Sequence, residues 1–146
     1  KLVQSNPAIR PYKTIDHTGD VGIKGYGKSL PELFQNAAHG LFDIILKKPK
    51  IQGLHAEKIS VTANDTEQLL VTWLSEFLYL FDTKRLVFGK IAIDKVEETA
   101  VEATAEGEIF DPQKHVIQTE IKAVTYHGLK IGKKGSLYTT LVIFDI

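Results

Sequence analysis

The stretch TIDHTGD, Thr14 to Asp20, gathers two carboxylates, an imidazole and two hydroxyls within seven residues. Oxygen donors at that density suit a hard cation such as calcium, magnesium or manganese. Asp and Thr are also ordinary turn residues, so a polar turn accounts for the same letters. One such carboxylate makes a poor metal site, and a second anionic arm is needed. Asp145 can supply it, because only Ile146 follows. If that end is native, a side-chain carboxylate and a chain-terminal carboxylate are crowded together, and their repulsion calls for a cation. The competing reading is a frayed end carrying one solvated aspartate.

A second stretch, GIKGYGKS from Gly22 to Ser29, fits the phosphate-loop pattern G-x-x-x-x-G-K-[ST] letter for letter. That chemistry needs a buried parallel strand, a loop whose amides surround phosphate, and a helix N-terminus just behind the lysine. Here the preceding IDHTGDV is too polar for such a strand. IKGY continues an alternating strand pattern, and Ser29 is placed to cap a helix. The match is therefore read as a strand-to-helix corner shaped by Gly25 and Gly27, and no nucleotide is expected to be bound by this chain itself. Lys28 is the residue on which the opposite reading, a nucleotide switch, would depend.

EIKAVTYH, Glu120 to His127, reads as a strand with Lys122, Glu120, Val124 and Tyr126 on one face. A strand lysine beside a glutamate is commonly an exposed cross-strand pair. No nucleophile–base pair stands out, and the H-E-x-x-H spacing of a metalloprotease is missing.

The elements that must position these residues follow from periodicity. Val21, Ile23 and Gly25 alternate with Gly22, Lys24 and Tyr26, predicting a strand. Leu30, Leu33, Phe34, Ala37, Ala38, Leu41, Phe42 and Ile45 then recur at helical spacing. Ser29 and Glu32 form an S-x-x-E capping box, and Pro31 suits the first helical turn. A strand over 57–63 is followed by a second helix, capped by Asn64 and Glu67 and carrying a broad stripe from Leu69 to Phe81. Strands are expected over 86–93, 99–108, 119–127, 129–131 and 137–144. This order predicts an α+β domain, two amphipathic helices packed on a largely antiparallel sheet. Residues 1–11, with two prolines, read as a flexible leader before a single domain over 12–146.

Composition narrows the function classes. At 146 residues the chain can bury about 68–70% of its unfolded surface without staples. It has no cysteine, which excludes disulfides and thiolate metal sites. Eighteen basic residues balance eighteen acidic ones, so direct high-affinity nucleic-acid binding is not favoured. Short basic runs such as Lys47-Lys48-Pro49-Lys50 read as solvated loops. No segment is long and apolar enough to span a membrane, and no signal-peptide core opens the chain, so a cytoplasmic location is expected. With no methionine anywhere, the sequence is expected to have been trimmed or processed at its start.

Several segments together resemble the archease family. DHTGDVGIKGYGKSLPELFQNAAHGLFDII resembles its opening signature and EQLLVTWLSEFLYLFDT its second helix. EIKAVTYHGLKI, preceded by Lys114-His115, and the terminal VIFDI resemble its closing signatures, so the likeness runs from about Tyr12 to Ile146. The resemblance implies a non-catalytic accessory protein of tRNA splicing and RNA repair. Such a protein promotes guanylylation and multiple turnover of an RtcB-type RNA ligase, and meets RNA only through that ligase. It also implies a divalent-metal site, which falls here on Asp20, Asp145 and the Ile146 terminus, with Lys122 and His17 as further candidates for the functional surface. Many family members have alanine at the position of Gly19 and isoleucine at that of Val21. Both are mild departures, the first expected to loosen the turn.

Three rival readings are carried alongside. They are a divalent-metal phosphoesterase with His17 as general base, the Lys28 nucleotide switch, and a chaperone-like interaction module for RNA-modifying enzymes that needs no metal.

Overall fold

A computed structural model of the chain describes residues 11–17, 19–47 and 50–146, without the side chain of His17. All of the expected leader but Pro11, and half of the basic run at 47–50, lie outside the described residues. The elements are β1 (Tyr12–His17), β2 (Asp20–Gly27), α1 (Leu30–Ile45), β3 (His55–Thr62), α2 (Thr66–Lys84), β4 (Leu86–Val96), β5 (Ala100–Ile109), β6 (Ala123–Val124), β7 (Lys130–Lys134) and β8 (Leu137–Asp145).

The α+β architecture is as predicted, with the strands divided between two antiparallel sheets. One has five strands in the order β1-β2-β8, with β6 and β7 sharing the far edge of β8. The other has the order β3-β5-β4. The helices join them: α1 packs on β2 and β4, and α2 on β3 and β6.

Both helices start where side chains satisfy orphan amides. The Glu32 amide donates to Ser29 Oγ at 3.3 Å, while the Lys28 amide donates to Glu32 Oε1 at 2.9 Å. The cap of α2 is Asp65 rather than Asn64: its Oδ1 accepts from the Gln68 amide at 2.8 Å, and Gln68 Oε1 accepts from the Asn64 amide at 2.7 Å. A D-x-x-Q box thus displaces the expected N-x-x-E box by one residue. Glu67 is used elsewhere, accepting from the Ile131 amide at 3.0 Å and so tying β7 to α2.

Aromatic side chains fill the space between helices and sheets. Trp73, Phe34, Phe77 and Phe88 are fully buried, and Phe77 meets Trp73, Phe42 and Phe88 edge-on at 4.8 to 5.7 Å between ring centres. The indole N–H of Trp73 donates to the Phe34 carbonyl at 2.9 Å, so the large residue leaves no polar atom stranded. Each such side chain contributes about 1.5–3 kcal/mol by leaving water.

One polar cluster lies inside this frame. Glu108 accepts from Lys114 Nζ at 2.8 Å, the Gln52 amide at 2.8 Å and His115 Nε2 at 3.1 Å. The Asp111 amide donates to His115 Nδ1 at 2.9 Å, which leaves Nε2 as the protonated nitrogen. The hydrogen bond from Lys114 is the largest cause holding the Glu108 carboxyl down at about 2. These bonds pin the 111–115 turn to β5.

Candidate functional site

The phosphate-loop letters form a strand and a helix cap. Residues 20–27 are one antiparallel strand paired on both sides, and α1 begins at Leu30. Gly27 is required by close approach: a Cβ there would lie 2.4 Å from the Leu33 amide nitrogen and 2.9 Å from the Ser29 carbonyl. No loop is left to surround a phosphate. The strand-to-helix corner is as expected.

Within TIDHTGD, the residues of β1 pair antiparallel with the start of β2. His17 pairs with Asp20 at the closed end of this pairing, and Gly19 takes φ +78° with nothing within 4 Å of where a Cβ would stand. Positive φ favours glycine. Gly19 therefore fits the turn, and the expectation that it loosens the hairpin finds no support in this conformation.

Asp20 opens β2 and Asp145 closes β8, and the antiparallel register makes them direct partners. Partners across such a ladder stand about 4.5–5.5 Å apart at Cα, with side chains on one face. On the other side of β8, Ala123 is the partner of Asp145, and the Lys122 amide donates to the Asp145 carbonyl at 2.8 Å. The structure thus brings Asp20, Asp145 and the Lys122 backbone into one row, with Ile146 next along the chain. One carboxylate oxygen of Asp20, Oδ1, is buried, whereas Asp145, Lys122 and Ile146 are exposed. His17 belongs to the same row by register. Among the described residues no three His, Asp or Glu side chains are arranged to hold a metal ion, so the row offers two carboxylates, those of Asp20 and Asp145.

The predicted strand over 119–127 shrinks to Ala123–Val124, extended by the Lys122 amide bond and by the Thr125 amide donating to the Ile143 carbonyl at 2.9 Å. β8 has only one remaining edge, and β7 occupies the rest of it through Leu141. The shared face expected for Glu120, Lys122, Val124 and Tyr126 therefore does not arise from a continuous strand. Lys122 instead lines a groove of about 370 Å³ with Glu120, Asp82 and Arg85. Arg85 caps α2 in a left-handed conformation that no glycine marks in the sequence.

The fold and this row of residues define a class, two-helix α+β proteins in which the opening hairpin meets the last strand. Residues 12–146 match the archease protein family (MTH1598/TM1083), and the chain belongs to that family. It is 38% identical to Protein archease of Methanosarcina acetivorans over 141 residues, covering 94% of this chain and 97% of the relative. Protein archease of Pyrococcus furiosus is 42% identical over 127 residues, covering 84% of this chain and 89% of the relative. The solution structure of protein 1598 of Methanobacterium thermoautotrophicum superposes with a TM-score of 0.76 at 31% identity, over 93% of this chain and 99% of that one. The crystal structure of a Thermotoga maritima archease, described as a possible chaperone, gives a TM-score of 0.63 at 25% identity, over 90% and 94% of the two chains. Among the described residues no helix is long and apolar enough to cross a membrane.

Proposed function

We propose that this chain is a non-catalytic activator of an RtcB-type RNA ligase in tRNA splicing and RNA repair. It promotes ligase guanylylation and multiple turnover through a carboxylate site for a divalent ion, calcium, magnesium or manganese. Membership of the archease family supports the partnership, and the pairing of Asp20 with Asp145 carries the site.

The residues present fit such an ion. Two carboxylates opposed across a ladder repel one another unless a cation or a proton intervenes, and oxygen donors are the ones a hard cation takes. Asp20 and Asp145 would hold it, with the carboxyl group after Ile146 as the third donor if the chain ends there. The ion, when bound, supplies positive charge close to the ligase's nucleotide chemistry. Lys122, tethered to the Asp145 carbonyl through its own amide, leaves its ammonium exposed for an anionic nucleotide group or a ligase carboxylate. This division of labour needs no nucleophile or nucleotide pocket in the chain, and it places RNA contact on the ligase. A cytoplasmic location goes with it.

The test is guanylylation and turnover of a cognate ligase with GTP and manganese, in the presence and absence of this protein. Wild type is expected to stimulate both, whereas Asp20→Ala and Lys122→Ala are expected to impair stimulation. Full stimulation by both variants would overturn the assignment.

A second reading, a chaperone-like module, is favoured by the description of the Thermotoga relative. It predicts stimulation that survives chelation of divalent ions and loss of either aspartate.

A further inference from the structure

One face of the five-stranded sheet carries a row of lysines. The register pairs Lys13 with Lys24, Lys24 with Leu141, and Leu141 with Lys130. Partners across a ladder share a face, so the three lysines project together from β1, β2 and β7. All three are exposed. With strands about 4.8 Å apart, the row runs for about 14 Å. Lys13 and Lys24 are direct partners, and like charges directly opposite one another destabilise a sheet.

Among the described residues no carboxylate offsets this charge. Lys84, Lys90, Lys95 and Lys114 each reach one, whereas Lys13, Lys24 and Lys130 form no ion pair. The acids on the same face, Asp20 and Asp145, stand four residues along β2 and β8, about 13 Å away. Eighteen basic and eighteen acidic residues balance over the whole chain, and this face departs from that balance. The next line of the register is Tyr26, Thr139 and Gly132. With Lys24, Lys130 and Gly128 they line a hollow of about 320 Å³.

We propose that this face binds the phosphate backbone of a single-stranded nucleic acid, with the Tyr26 ring as a platform for a base. A chain of anions neutralises three positive charges spread over about 14 Å where they stand, whereas a single ion would have to draw them together against their repulsion. Lysine meets phosphate as a point charge, while a carboxylate is matched best by the fork of an arginine. No arginine stands on any strand of this sheet. A positive track beside an aromatic ring is how single strands are held without regard to sequence, and the two glycines keep the hollow open for a base. The inference goes beyond the function proposed above, in which RNA is met through the ligase: here the chain itself touches the strand.

The measurement is fluorescence anisotropy of a fluorescein-labelled uridine decamer titrated with the full chain, in EDTA and without ligase or GTP. Saturable binding is expected, with a slope of log K against log salt of about −2, three phosphates at about −0.7 each. Lys13→Gln, Lys24→Gln and Lys130→Gln should each weaken binding and flatten that slope by about 0.7. Among the described residues these side chains hold no bond, so the variants should melt no lower than wild type, which separates lost binding from lost folding. Tyr26→Leu should lose about tenfold with the slope unchanged, as stacking requires. Unlabelled uridine and thymidine decamers should both compete, their ratio showing which sugar the face prefers. Capped hexaglutamate and inorganic tripolyphosphate, at matched ionic strength, should compete at least about tenfold more weakly. No binding, competition by hexaglutamate or tripolyphosphate equal to that of the decamers, or undiminished binding by the lysine variants or by Tyr26→Leu would each overturn the proposal. Ligase stimulation plays no part in this readout, so its failure leaves the function proposed above standing, and the reverse.

Discussion

Asp20 and Asp145 face one another across β2 and β8, the first residue of one strand paired with the last of the other. The chain's opening hairpin and its final strand thereby put two carboxylates side by side, in a row that also takes in the backbone of Lys122.

That pairing yields a prediction independent of any ligase. In a chelator-treated sample the two carboxylates repel, so Asp145→Asn should melt at the same temperature as wild type or higher. Calcium, magnesium or manganese should then stabilise wild type, by about 2.7 kcal/mol at one hundred times the dissociation constant, and stabilise the variant far less. Thermal melts followed by circular dichroism, with and without each ion, make the comparison. Equal stabilisation of both proteins, or of neither, would remove the carboxylate pair as the ion's site.

The phosphate-loop letters give a prediction about packing. At Gly27 an added methyl group meets backbone atoms of Leu33 and Ser29, which cannot move aside without shifting the start of α1. Gly25 is two residues back on the same strand, and there the nearest atoms are the Thr140 and Leu33 side chains at 3.4 and 3.5 Å, ordinary contact distances. Gly27→Ala is therefore expected to cost about 1–3 kcal/mol of stability, as overpacking does, and Gly25→Ala much less. Urea denaturation of the two variants measures both. A Gly27→Ala protein as stable as wild type would mean that the corner is not tightly packed.

What the sequence made legible was local. The stripes from Leu30 to Ile45 and from Leu69 to Phe81 repeat every three or four residues, so each helix carried its own signal. The helix cap slipped by one residue because Asn64 and Asp65 are both good caps, and only the position of Gln68 separates them. The strand expected over 119–127 failed for a non-local reason. Its letters alternate well enough, but β8 offers one free edge and β7 takes most of it. The candidate site was legible in part: Asp20, Asp145 and Lys122 stood out by type and by family resemblance, whereas their register depends on pairing between the two ends of the chain. The left-handed backbone of Arg85 carried no signal, because no glycine marks it and the rings beside it, Phe81 and Phe110, come from separate parts of the chain.

Acid sensitivity should be concentrated at Glu108. Its carboxyl titrates at about 2 in the fold against an ordinary value of 4.5, chiefly through the hydrogen bond from Lys114 and then that from the Gln52 amide, with burial opposing them. A carboxyl depressed by folding lends stability that is present above its unfolded value and is lost as the pH falls. The loss should therefore begin below about pH 4.5 and be complete near pH 2. Glu108→Gln keeps the shape and removes the charge, so it should be less stable than wild type at pH 7, with the gap closing across that window. Denaturation midpoints measured from pH 7 down to the acid limit test this. A gap that stayed constant with pH would show that packing of the side chain, and not its ionisation, holds the 111–115 turn to β5.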